Sequence, residues 1–316
     1  MKNLNDKLAV KFSEILNGAE IYVIMMSVIY SLLLLIFSSS FENPLLLFTY
    51  NVGIAGVILA VAFLDYYLGD NRKMHIVRTV FIAPIIYICY LNTQFYVRAI
   101  NPVLYDQVLI DWDNLLFGGD VSRFFDAIRT PILTEFLQIC YVLFFFLPVF
   151  HGIELFFRDK KPELNFLSNQ IVFGFLLSYI LYLAMPAIGP RFTIFDIHAL
   201  NTEIPGLFLT DGLREFVNSG GGFPAGCTTP ELSVNRDCMP SGHTWLTIMN
   251  IVLAFRFRSK LRYVFLVIGG GLIIATLYMR YHYGVDVLAG IIFAVISIYL
   301  EPVVRQKLKD LGFIKI

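Results

Sequence analysis

Eight apolar stretches recur along this chain, each close to the roughly 20 residues that a helix needs to cross a bilayer. They run over 21–37, 46–68, 76–97, 131–157, 165–188, 240–257, 261–279 and 283–300. Hydrophobic residues make up 57% of the chain, aromatics 16% and charged residues only 15%, a balance that soluble domains of this size rarely have. The mean hydropathy of +0.70 points the same way. The expected fold is therefore all-α: a polytopic membrane helix bundle of about eight transmembrane helices, read as a single integral membrane domain over 1–316. Within it, the spans of 1–100 are expected to form a peripheral N-terminal layer around a helix core over 131–300. The first span follows a polar amphipathic stretch and lacks a small-residue cleavage site, so it reads as a span and not as a cleaved signal peptide.

The chain is neutral overall, but its charge is unevenly placed. Eight spans put both termini on one side, and that side then receives 17 of the 24 basic residues, including every lysine. Only seven arginines fall opposite. The positive-inside rule makes the termini cytoplasmic. The long connections, near 98–130 and 189–239, then lie outside, and loops of that length are usually functional. No nucleic-acid partner is expected. Cys89 and Cys140 lie in spans and read as packing residues. Cys227 and Cys238 share the second outer loop, where an oxidising environment favours a disulfide between them.

The first outer loop carries Tyr105–Gly118, in which apolar and acidic residues interleave at helical spacing. Two readings stay open: an interfacial amphipathic helix anchored by Trp112 and Phe117, or a partly buried connecting helix. In the second loop, Ser219–Gly226 is rich in glycine and reads as a flexible lid. It does not follow a strand and open a helix, so it is a weak signal for phosphate binding. Arg214 and Arg236 in that loop read as solvated surface residues, and His75 and His151 as structural residues on the cytoplasmic side.

Two short segments carry the chemistry: Met239-Pro240-Ser241-Gly242-His243 and Arg280-Tyr281-His282-Tyr283-Gly284-Val285-Asp286. Each sets a histidine at the mouth of a span. Pro240 suits a first helical turn, which would then hold Ser241, Gly242 and His243. Free amides and the positive dipole end make such a turn an anion site; Gly242 admits a phosphate closely and Ser241 offers a hydroxyl. Asp286 follows His282 by four residues, on one face if both are helical. A carboxylate there would set the tautomer of His282 and raise its basicity, which suits attack on phosphorus. His243 is the candidate proton donor. Arg191, in Gly189-Pro190-Arg191, and Arg280 are candidate phosphate ligands through their guanidinium forks.

Pro-Ser-Gly-His followed by His-x3-Asp at a later span resembles the type 2 phosphatidic acid phosphatase superfamily of integral membrane enzymes. The resemblance is close over roughly 186–300. It departs twice: Ala184 stands where the family has a lysine, and Ala275-Thr276 where it has Ser-Arg. With Gly-Pro-Arg, Tyr-His-Tyr-x2-Asp and Leu116-Phe117-Gly118, the chain is more similar to the inositol phosphorylceramide synthase (aureobasidin-resistance) branch. The resemblance implies His282 as nucleophile, Asp286 as its orienting partner, His243 as general acid and Arg191 as phosphate ligand. It implies no metal and no cofactor. Arg280 is added from its position alone, in place of the missing family arginine.

The function expected is that of a lipid-phosphate phosphatase or phosphotransferase working at the outer face through a phosphohistidine. Its partners would be a phosphorylated lipid, the bilayer and, for transfer, an alcohol acceptor such as a second lipid, sphingolipid-type chemistry included. Two alternatives remain: an undecaprenyl-diphosphate phosphatase, and a non-enzymatic lipid-binding or transport protein that keeps a phosphate pocket. The compact length and the lysine- and isoleucine-rich style suggest a bacterial inner membrane, with the site facing the periplasm.

Overall fold

The structure is a computed structural model that describes residues 15–69, 72–223 and 226–314. The polar stretch ahead of the first span, with Lys2, Lys7 and Lys11, lies outside the described residues. So do Lys315, Pro224 and Ala225 of the glycine-rich stretch, and the side chains of Arg72, Lys73 and His75.

The described residues form helices and no strands. Among the described residues the longer α-helices are α1 (Gly18–Ile36), α2 (Pro44–Leu68), α3 (Arg72–Ile100), α4 (Asp106–Phe117), α5 (Pro131–Val142), α6 (Phe146–Phe157), α7 (Lys161–Ala184), α8 (Thr210–Gly220), α9 (Gly242–Arg256), α10 (Arg262–Tyr278) and α11 (Gly284–Asp310). All eight apolar stretches are helical, and the chain is an integral membrane protein. Six helical spans are long and apolar enough to cross a membrane, with α5 and α6 joined through a tight turn at Leu143–Phe145 into one of them. The stretches at 240–257 and 261–279 fold as the shorter α9 and α10, of 15 and 17 residues. At 1.5 Å per residue α9 rises only about 22 Å. It is cut short because Ser241 caps one end and the chain turns at the other, where Arg258 takes a positive φ of 52°.

Local signals start the helices where the sequence places them. Asn17 and Glu20 form a reciprocal capping box on α1. Asn43 and Thr130 cap α2 and α5, each followed by a proline at the first helical position.

Helix α7 is the hub, packing on α1, α3, α6, α9 and α11. One hydrophobic cluster joins α1, α2 and α3 to α7, built around Tyr30, Tyr96 and Met26. A second joins α5, α6 and α7 to α9, α10 and α11 around Trp245, Met249 and Leu253. Buried polar ties lock the layers together: Glu301 on α11 accepts from Tyr22 Oη (2.9 Å), Gln170 Nε2 (3.0 Å) and Arg305 Nε (3.0 Å). Removing one partner of such a set is costly, because the others stay buried.

Helix α11 packs tightly on the start of α9 at Gly290, where an added Cβ would stand 2.7 Å from the Ser241 carbonyl oxygen. Gly290→Ala is therefore expected to lose about 1–3 kcal/mol by overpacking. Gly53→Ala on α2, where an added Cβ meets nothing within 4 Å, should hold or gain stability. Thermal unfolding of both variants in detergent micelles checks the contrast.

Candidate active site

The two motifs meet at one end of the bundle, where α9 and α11 begin. Helix α9 starts at Gly242, two residues later than expected. Pro240 lies ahead of it in a cis bond with Met239, and Ser241 is the N-cap. The Ser241 hydroxyl oxygen accepts from the Thr244 amide (3.2 Å) and donates to Thr244 Oγ1 (3.1 Å), so it caps the helix end. Gly242 and His243 open the helix, and their amides fall among those that a first turn leaves without intrahelical partners. Gly242 is required there by crowding: a Cβ would stand 2.6 Å from the Tyr182 hydroxyl.

His282 differs from expectation too. It precedes α11, which starts at Gly284, so His282 and Asp286 do not share a helical face. They meet because Asp286 reaches back over the helix start. Its Oδ2 accepts from the Tyr283 amide (2.9 Å) and lies 3.4 Å from His282 Nδ1. The His282 loop is wrapped on the end of α10: the amides of Tyr281 and His282 both donate to the Thr276 carbonyl, at 2.9 and 3.0 Å. Arg280 makes that turn with φ of 63°, the left-handed conformation that ends helices and that non-glycine residues rarely take.

His282 Nδ1 also lies 3.0 Å from the Cys238 carbonyl oxygen. A carbonyl carries no proton, so Nδ1 is the donor, and the neutral ring presents a lone pair at Nε2. That Nε2 faces His243 Nδ1 at 3.4 Å. The His243 ring is clamped between Tyr141, stacked at 4.6 Å, and Phe144, tilted at 4.4 Å. The two helix starts are joined by the Ser241 amide donating to the Asp286 carbonyl (3.1 Å).

Arg191 is buried nearby, its guanidinium over the rings of Tyr281 and Phe192 (both 4.7 Å) and Phe223 (5.3 Å). Its amide donates to the Arg280 carbonyl (3.1 Å), and its Nη1 donates to Asn218 Oδ1 on α8 (2.9 Å). Arg280 is turned to other partners: its guanidinium pairs with Glu203 and lies 3.6 Å over the Phe195 ring. The residues brought together are thus His243, His282, Asp286, Ser241 and Gly242, with Arg191 held against Tyr281.

Several site neighbours were missed by sequence reasoning. Cys238 is one: buried, it donates from Sγ to Asp286 Oδ2 (2.8 Å), and burial pushes its thiol up, so it stays protonated at neutral pH. All four cysteines are free, which corrects the expected disulfide; Cys227 Sγ instead meets Ser233 Oγ at 3.5 Å. Helix α4 supplies two more. Asp106 accepts from the Gly189 amide (2.8 Å), the Ile188 amide (3.1 Å) and Tyr283 Oη (2.9 Å), tying the Gly-Pro-Arg segment to the His282 loop. Asp113 accepts from the amides of Gly284 and Val285, both at 2.8 Å, and so caps α11. Their seven-residue spacing, two turns on one face, was the available signal. Burial pushes Asp113 up to about 6 even though two amides donate to it. Phe117 packs at Gly284, while Trp112 is exposed.

The long loop between α7 and α9 is largely pinned. Glu135 on α5 accepts from the amides of Leu207, Leu209 and Thr210 and caps α8. In the glycine stretch, the Gly221 carbonyl accepts from the Asn235 amide (2.8 Å). Arg214 is buried, not solvated: it donates to Asn201 Oδ1 and the Ile204 carbonyl, and burial holds its guanidinium below the usual range.

Asp113→Ala strips the cap from the helix that carries Asp286. It is expected to cost about 1–2 kcal/mol in thermal unfolding, with the Asp113→Glu variant recovering part of it.

Residues 107–300 match the family model described as the PAP2 superfamily. No curated protein and no solved structure matches the chain. The matched region covers more than half the sequence, runs from α4 into α11, and includes both histidine segments, Asp113, Arg191 and Cys238. This chain belongs to the PAP2 superfamily.

Proposed function

We propose that the protein is an integral membrane enzyme that removes or transfers a phosphoryl-linked group of a lipid, with His282 as nucleophile. Family membership supports phosphatase-type chemistry on a lipid phosphate. The observation that carries the finer reading is the row Asp286, His282 Nδ1, His282 Nε2 and His243, with spacings of 3.4 Å on both sides of the His282 ring.

In this reading the Nε2 lone pair attacks phosphorus, an N–P bond forms and the bond from phosphorus to the leaving oxygen breaks. His243 gives its proton to that oxygen. Asp286 and the Cys238 carbonyl hold the Nδ1 proton and stabilise the charge that grows on the ring. Arg191 and the first-turn amides of α9 bind the non-bridging oxygens, whose negative charge rises in the transition state. Water or an alcohol then enters from the vacated side, and His243 takes its proton back as phosphohistidine breaks down. Water makes the protein a phosphatase. An alcohol makes it a headgroup transferase, and the Gly-Pro-Arg and Tyr-His-Tyr-x2-Asp segments favour inositolphosphotransferase-like transfer, sphingolipid acceptors included. The basic-residue asymmetry supports a site facing away from the cytoplasm with both termini inside, and the compact, lysine- and isoleucine-rich sequence favours a bacterial inner membrane. The spans of 1–100 would form a peripheral layer around the catalytic helices of 131–300.

The test is inorganic phosphate release from phosphatidic acid by purified protein in mixed micelles. His282→Ala is expected to lower turnover by about 10³-fold or more with helicity retained, and His243→Ala by roughly 10²–10⁴-fold. Full activity in His282→Ala would sink the mechanism. Wild-type protein that releases no phosphate but passes a labelled headgroup to a second lipid alcohol would select transfer over hydrolysis.

A further inference from the structure

Three side chains of different chemistry converge on one side of the His282 ring. Cys238 Sγ, His282 Nδ1 and Asp286 Oδ2 lie 2.8 Å (S to O), 3.4 Å (S to N) and 3.4 Å (N to O) apart, and all three residues are buried. A hydrogen-bonding role does not use the full capacity of this set. Asp286 is wholly buried, yet its second carboxylate oxygen, Oδ1, has no hydrogen-bond partner. A buried carboxylate that lacks a donor on one oxygen is costly, and a cation held at its other oxygen would offset the charge.

We infer that Cys238, His282 and Asp286 form a capture site for a soft or borderline divalent cation, zinc or cadmium in class, and that occupancy switches the histidine off. Zinc binds sulfur at about 2.3 Å and imidazole nitrogen or carboxylate oxygen at about 2.0–2.2 Å, which in a tetrahedral site sets the ligand atoms roughly 3.3–3.6 Å apart. The two contacts to Nδ1 already have that spacing. The sulfur-to-oxygen contact must open by about 0.7 Å, once the S–H donor bond is exchanged for two bonds to metal. The Nδ1 donor bond to the Cys238 carbonyl must also be given up. The thiolate rejects hard cations such as magnesium and calcium, which prefer oxygen.

The charges and protons balance. The cation brings two positive charges, the Cys238 thiol releases one proton to solvent, and Asp286 supplies its existing negative charge, so the occupied site is neutral. His282 stays neutral, but its proton must leave Nδ1 for Nε2 to free the ligand lone pair. The proton then sits on the atom that faces His243. This leaves no lone pair at Nε2 and withdraws the carboxylate from its orienting role. Cation binding itself follows from the three ligands; its effect on turnover rests on the proposed role of His282.

Two readouts on the intact protein in detergent micelles separate these claims. The first is ultraviolet titration with cadmium, which reads the cadmium–thiolate charge-transfer band. The band is expected to saturate stoichiometrically in wild type and in Cys227→Ser, and to vanish in both Cys238→Ala and Cys238→Ser. Size-exclusion elution and helicity confirm that these variants are folded. No band in wild type, or a band that survives in the Cys238 variants, overturns the site. The second readout is phosphate release, for which zinc is expected to inhibit wild type, magnesium to have no effect, and the Cys238 variants to need roughly tenfold or more zinc. A Cys238-dependent band without inhibition leaves the cation site standing and overturns the switch, while the assignment of His282 as nucleophile is read separately from the His282→Ala variant.

Discussion

The hydrogen bond from the Ser241 amide to the Asp286 carbonyl joins the starts of two helices, and the rest of the site is built from that junction. It sets the first turn of α9, with Gly242 and His243, directly against the first turn of α11, with Asp286. Backbones approach this closely only where side chains are absent. Gly290 supplies the gap on α11, and Gly242 supplies one beneath the Tyr182 hydroxyl. From the junction, Asp286 reaches back to the Tyr283 amide and His282, and His282 reaches across to His243.

A junction of two helix starts gathers unpaired amides, and the structure meets them with carboxylates. Asp113 takes two amides of α11, Asp106 those of Ile188 and Gly189, and Glu135 those at the head of α8. Each carboxylate comes from a different part of the chain than the amides it serves. The loops between the spans are thus held by charge-assisted hydrogen bonds as well as by apolar packing. Arg191 inherits this order: its backbone is fixed by Asp106 through Gly189, and its guanidinium by aromatic faces and Asn218.

Much of this was legible before any fold was known. The apolar stretches placed the helices with most ends within a few residues, because the cost of burying polar backbone in lipid allows little else. The exceptions are 131–157, which folds as two helices, and α11, which runs on to Asp310, well past the expected end at 300. Asn17, Asn43 and Thr130 cap helix starts in the structure, a local signal that sequence reasoning did not use. The histidine segments stood out because ionisable groups at the mouths of spans are rare without a function. Less legible were features set by contacts distant in sequence. Asp113 and Gly284 are 171 residues apart, and Cys238 and Asp286 are 48 apart. No local periodicity pairs them. The helical-face argument for His282 and Asp286 brought together the right residues for the wrong reason, since the helix begins after His282.

The sequence by itself determined a helical membrane bundle and nominated two histidines, a carboxylate and an arginine, because hydropathy, capping chemistry and residue type act over a few residues. Tertiary structure alone decided that α9 and α10 stop short, that Arg280 turns to Glu203 while Arg191 stays near the His282 loop, and that Cys238 faces the carboxylate instead of a second cysteine. These outcomes depend on how closely two backbones pack and which amides then need an acceptor, quantities that exist only once distant segments have met.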